Sequence, residues 1–220
     1  MTRGRLGRKG RVLGWALACG VALAAGCNIV APVFYIVHGP EKVPAQHELD
    51  PERPTVVFVD DRANRLPRRA MRQTIGEAAQ TALMERKAVI DMIDTRGAIA
   101  ASNQDKAGQA MSIVDIGKAV NAEVVVYATV DAFTLSSDGQ SYSPAATLRV
   151  KVIDVVADTR VWPEEKEGYV LSLAFPTRTQ DVPRTATDVR RFEEETARLV
   201  GEALAQLFYK YERAQDAGQK

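Results

Sequence analysis

Cysteine and histidine are nearly absent from this sequence, with two of each among 220 residues. Both histidines, His38 and His47, fall in one proline-rich stretch near the N-terminus. The rest of the chain therefore cannot build an imidazole general base, a Ser-His-Asp triad or a histidine-ligated zinc site from within itself. Cys19 sits inside an apolar leader and Cys27 directly after it. A body without thiols has no disulfide and no thiolate metal site, so its stability must come from its core. Neither G-x-G-x-x-G nor G-x-x-x-x-G-K-[ST] occurs, which leaves no glycine-rich cradle for a nucleotide. No cofactor or metal is expected on these grounds.

What is present is most distinctive at the N-terminus. A basic segment, MTRGRLGRKGR, precedes an apolar run over residues 12–25. That run suits a signal peptide and falls short of the ~20 residues needed to span a bilayer as a helix. It ends in Leu23-Ala24-Ala25-Gly26-Cys27, which resembles the bacterial lipobox, with Ala24 in place of the more usual leucine. Small residues before the cut and a thiol after it are what lipidation needs, and two or more acyl chains give stable anchoring. The expectation is a signal peptide over 1–26 and a lipid-bearing Cys27. An uncleaved anchor over 12–37 is the competing reading, weakened by Asn28 and Pro32 in its middle. Under either reading the basic end stays inside, so the body faces the periplasm. Asn28, rather than an aspartate after the cysteine, favours the outer membrane over the inner.

Charge narrows the partners. Setting aside Arg3, Arg5, Arg8, Lys9 and Arg11, the 29 basic residues fall to 24 against 28 acidic ones, a net of about −4. A mildly acidic body is a poor nucleic-acid binder, because that affinity rests on neutralising phosphates. Pro40, Pro44, Pro51 and Pro54 stand among charges over 38–54, so 27–54 is expected to be an extended tether. A globular domain is expected over 55–213, followed by a short disordered tail over 214–220.

Within the body, 55–59 is a short apolar, β-branched run closed by Asp60-Asp61, the pattern of a buried strand. A helix is expected from Pro67, with Met71, Ile75, Ala78, Ala82 and Leu83 on one face. Residues 88–93 read as a second strand and 103–109 as a loop. Ser112 with Asp115 is a capping-box pattern before Ile113, Ile116 and Val120. Residues 123–134 and 146–156 alternate as a hairpin, with Val124, Val126, Ala128, Val130 and Ala132 on one face. The last helix, over 188–213, carries a stripe from Val189 and Phe192 to Phe208 and Tyr211. The fold class is α/β (α+β): one domain with a mixed sheet of four or five strands, an antiparallel hairpin, helices on one or both faces, and a long C-terminal helix.

Two segments carry a resemblance. Asn121-Ala-Glu-Val-Val-Val-Tyr-Ala-Thr-Val130 is similar to the "gadyvl-G-v" strand, and 148–162 to the "lrlvdv-tG-vlW" hairpin, of the envelope lipoprotein group that includes CsgG, the N-terminal domain of TolB, and LpoB. Ala128 replaces a frequent glycine, and Asp158-Thr159 a frequent Thr-Gly. The resemblance covers about 55–162, or to about 212 with the last helix. It implies a non-catalytic binding or assembly module for a protein partner in the cell envelope, with homo-oligomerisation open. CsgG's pore hairpins have no counterpart here, since no pair of ~10-residue alternating segments is spare.

Carboxylates are the remaining chemistry. Asp60 and Asp61 with Asp91 or Asp94 are a candidate cation set, but turn chemistry accounts for all four. Glu164-Glu165 and Glu193-Glu194-Glu195 read as solvated faces, and Trp162 as core. The alternatives to a binding module are a carboxylate-dependent envelope hydrolase and a subunit of a secretion or pore complex. For partner contact the candidates are Tyr169, Phe175 and Arg178, since interfaces lean on aromatic and arginine anchors; an extra edge strand over 169–175 is the competing reading. Cys27→Ser is expected to leave unprocessed precursor and abolish acyl labelling. A mutant that matures to the same size and still takes up labelled palmitate would overturn the lipobox reading.

Overall fold

A run such as Thr55-Val-Val-Phe-Val59 is stable as a strand only where both of its faces are covered. The computed structural model, which describes residues 42–104, 110–136, 142–176 and 183–212, places it so. The strand β1 (Thr55–Asp60) is buried along its whole length. It runs parallel to β2 (Met92–Ile93) on one side and to β3 (Val124–Thr134) on the other. Antiparallel to β3 lies β4 (Ala145–Asp154), whose far edge is shared by β5 (Thr159–Trp162) and β6 (Tyr169–Ala174). The mixed sheet thus has six strands, and β6 is the one beyond the expected hairpin and its β5 return.

Alternation along β1 divides the core in two. Val57 and Val59 join Val126, Leu148 and Val150 beneath helices α1 (Met71–Glu85) and α4 (Ala186–Ala205). Val56 and Phe58 join Val125 beneath α2 (Thr95–Ser102) and α3 (Ile113–Ala119) on the opposite face. Helices therefore cover both faces. The pair α1 and α4 packs backbone to backbone at Gly201, where an added Cβ would stand 2.7 Å from Ala78 Cβ and against the Ile75 carbonyl. Among the described residues no helix is long and apolar enough to cross a membrane.

Caps set the helix boundaries. Ser112 accepts from the Asp115 amide at the start of α3, as expected. Thr185 and Asp188 form a full capping box, which starts α4 two residues before the expected position. Its helical part ends at Ala205, a 3₁₀ turn follows over Gln206–Phe208, and Tyr211 lies outside the helix. The helix α1 begins at Met71 rather than Pro67, and its buried face includes Gly76, Ala79 and Gln80, with Ala78 and Ala82 only half-buried.

Other expectations change for identifiable reasons. Residues 88–93 supply only the two-residue β2: Lys87, in the left-handed region (φ 55°), ends α1, and the Ile90 amide donates to the Pro51 carbonyl. The unexpected helix α2 starts at Asp94, whose carboxylate accepts from the Arg96 amide. A bulge between Val130 and Ala132 inverts the alternation of β3, leaving Ala132 exposed and turning Phe133 to the core. Glu193, expected on a solvated face, is buried against Arg68 at 2.8 Å.

The largest revision concerns the tether. Pro44–Tyr211 form one compact unit, so residues 44–54 belong with the domain. Leu49 is in the core; the Gln46 amide donates to the Leu207 carbonyl, and the Glu123 and Val124 amides donate to that of Pro54. Arg53 binds Glu123 through Nε (3.0 Å) and Asp154 through Nη1 (2.8 Å). The guanidinium holds the Asp154 carboxyl well below its ordinary value of 3.8, at about 2. A depressed carboxylate stabilises the fold fully above its unfolded value, and that contribution fades as pH falls through the folded one. Arg53→Ala is expected to cost about 1 kcal/mol at pH 7, given the partial exposure of the pair. Denaturation curves of mutant and wild type should converge between pH 4 and pH 2; a pH-independent gap would show that Arg53 acts through packing alone.

Candidate functional site

Two places on the domain combine unusual chemistry with access. The first is a pocket of about 240 Å3 where β1 ends, lined by Asp60, Asp61, Arg62, Arg69, Arg72, Ser102 and Asn103 among others. In sheets of this kind the carboxyl ends of parallel strands are where ligands gather. Asp60 is 3% exposed. Its Oδ2 accepts from the Tyr127 hydroxyl at 2.9 Å and pairs with Arg62 Nε at 3.0 Å. Burial, then the Asp60 charge, pushes the Tyr127 phenol well above its ordinary range. Asp61 instead caps its own turn, accepting from the Arg65 and Leu66 amides at 2.7 and 3.0 Å. Asp91 contributes its backbone carbonyl to the Thr55 amide, and Asp94 caps α2. Among the described residues no group of three or more metal-ligating side chains assembles.

The second place is the edge of the sheet at β6. This strand reads YVLSLA and has neither charge nor proline. It pairs with β4 alone, from Ala145↔Ala174 to Val150↔Tyr169, and among the described residues no strand lies along its other edge. Tyr169, Leu171 and Leu173 turn toward the core under α4, whereas Val170 is 51% exposed. Beside it, Trp162 on β5 packs with Tyr169 (ring centroids 5.0 Å apart), Phe208 (6.0 Å) and His47 (5.8 Å, stacked). Burial lowers the pKa of His47, and a ring held in this way is a packing element, not part of the tether.

These positions locate the residues expected from sequence. Tyr169 and Phe175 are both half-buried, Tyr169 on β6 and Phe175 just past its end, where its amide donates to the Pro144 carbonyl. The edge-strand reading of this segment is what the backbone adopts. Cys27 and Arg178 lie outside the described residues. The arginine-lined pocket was not expected. Its signal was nonetheless present: Arg62, Arg65, Arg68, Arg69 and Arg72 crowd eleven residues of an otherwise acidic body.

No protein-family model matches the sequence, and no curated protein does. Among solved structures, the chain is similar to a PelC dodecamer from Paraburkholderia phytofirmans at 11% identity and a TM-score of 0.42, over 77% of this chain and 97% of that one. It is similar to a lipoprotein from Neisseria meningitidis at 10% identity and 0.38, over 63% and 91%. A third likeness is to the C-terminal domain of LpoB from Salmonella enterica, at 16% and 0.33, over 56% and 84%. Likenesses this loose decide nothing about function. What the domain can do has to follow from its own residues.

Tyr127→Phe tests how the pocket floor is held. Removing the hydroxyl strips a buried carboxylate of one of its two side-chain partners, so a loss of about 2 kcal/mol is expected in denaturant unfolding. An unchanged stability would mean that Arg62 alone suffices to hold Asp60.

Proposed function

We propose that this chain is a lipoprotein of the bacterial cell envelope, anchored through Cys27 and facing the periplasm, whose folded domain binds a protein partner without catalysing a reaction. The observation that carries the reading is the outer edge of β6, along which no strand lies among the described residues. Folded proteins blunt free edges with charge, proline or a covering segment, because unpaired backbone amides and carbonyls invite another strand. Residues 169–174 carry neither charge nor proline. An extended partner segment adding here would gain main-chain hydrogen bonds along the whole strand. Val170 would give it an exposed apolar contact on one face, and the half-buried Trp162 and Tyr169 rings lie on the other.

The carboxylates support the same reading. Asp60, Asp154 and Glu193 are each engaged by an arginine, whereas an enzyme of the hydrolase class needs two acids facing each other across a cleft. The only described histidine, His47, is stacked on Trp162. Asn28 after the cysteine favours the outer membrane, and the same edge could also serve pairing between copies of the chain.

The test is a photo-crosslinking amino acid at position 170, with position 156 as a control, since Val156 is 73% exposed and lies away from β6. In native membranes a discrete crosslinked envelope protein is expected from position 170 and not from 156. Val170→Lys, which places a charge on the edge, should abolish it with the melting temperature unchanged. Equal crosslinking from both positions would refute the edge as the contact. Turnover of a peptidoglycan substrate, lost on changing one carboxylate, would refute the non-catalytic reading.

A further inference from the structure

We propose that the pocket at the end of β1 is a binding site for a small ligand bearing a carboxylate or phosphate group, gripped by Arg72 and Arg69. The argument begins with the charges that line it. Each acid there already has its partners: Asp60 is held by Tyr127 and Arg62, and Asp61 by two backbone amides. Arg69 and Arg72 have none, for neither makes an ion pair or side-chain hydrogen bond among the described residues. The pocket is therefore a locally basic recess in a body whose charge is otherwise acidic.

The decisive feature is Arg72 Nε. It is the one buried side-chain nitrogen or oxygen among the described residues without a hydrogen-bond partner. Buried donors are almost always satisfied, and a native exception calls for a missing partner. Arg72 is one of the residues that line the pocket, so its guanidinium, with this unpartnered donor, is the group there best suited to an acceptor. A guanidinium presents its N–H groups as a fixed planar fork that matches the two oxygens of a carboxylate or phosphate. Arg69 brings a second positive charge, and Ser102 and Asn103 add polar groups to the lining. The volume of about 240 Å3 suits a small molecule or a single terminal group rather than a polymer. The site is separate from the β6 edge, so it stands or falls independently of the partner-binding reading.

Titration calorimetry on the full chain in detergent at low salt, with inorganic phosphate and with glutarate as probes, provides the test. The ¹H–¹⁵Nε resonance of Arg72 is followed alongside. Saturable binding of at least one probe is expected, with the Arg72 Nε resonance shifting over the same concentration range. Phosphate alone would place the ligand among phosphate esters, and glutarate alone among carboxylic acids. Arg72→Gln and Arg69→Gln should each weaken binding at least tenfold, and Arg65→Gln, outside the pocket, should not. Because Arg69 is exposed and precedes α1, its variant preserves the test even if Arg72→Gln unfolds the domain. The proposal is overturned if neither probe saturates, if the Arg72 resonance stays still, or if Arg65→Gln weakens binding as much as Arg69→Gln.

Discussion

The burial of β1 on both faces is the constraint on which the rest of the domain depends. A strand with no wet face needs a hydrogen-bonded neighbour on each edge and an apolar layer above and below. The chain meets the first need by returning twice in parallel, as β2 and β3. It meets the second by dividing its helices, with Val57 and Val59 under α1 and α4 and Val56 and Phe58 under α2 and α3. A short polar network fixes the junction. The Thr95 hydroxyl donates to the Val57 carbonyl at 2.6 Å, and its amide to Gln80 Oε1 at 3.0 Å. Gln80 Nε2 in turn donates to the Ile93 carbonyl at 2.6 Å. One side chain on α1 thus ties the helix to the end of β2 and the start of α2.

The elements legible in the sequence are those whose own residues state their environment. The uninterrupted apolar run of β1, the alternation of β3 and β4, and the apolar stripe of α4 each announce a face and a period. Less legible is α2, because its eight residues make barely two turns and give an apolar face too few repeats to declare a period, although Asp94 supplies an N-cap. The bulge at Asp131 leaves no mark on composition, so Ala132 and Phe133 exchange faces without warning. Docking of residues 44–54 was hidden for another reason: it depends on carbonyls of Pro51 and Pro54 meeting amides distant in sequence. Prolines that look like a spacer are here acceptors at the edge of a domain. For the pocket, the crowding of arginines over 62–72 was visible, but which of them lacked partners was a tertiary fact.

The distribution of arginine unites these features. Arg53 gathers Glu123 and Asp154, Arg68 gathers Glu193 and Glu194, and Arg149 holds Asp131 at 2.8 Å beside the bulge. These pairs bridge segments far apart in sequence, and their part exposure keeps each one modest in energy. For Asp154 the effect extends to chemistry, since the Arg53 guanidinium holds its carboxyl below the ordinary value and leaves it poorly placed to act as a proton donor.

The connection between β1 and α1 shows what such anchoring achieves. Asp61 bonds the Arg65 and Leu66 amides, Leu66 is buried in the core, and Arg68 is clamped to Glu193 on α4. A segment that would otherwise sample many conformations is thus fastened at three successive points, and Arg69 follows directly on the last of them. Whatever meets those arginines does not have to order the backbone that carries them. The entropy of arranging that loop is paid during folding, once, and a ligand encounters a surface already set in place.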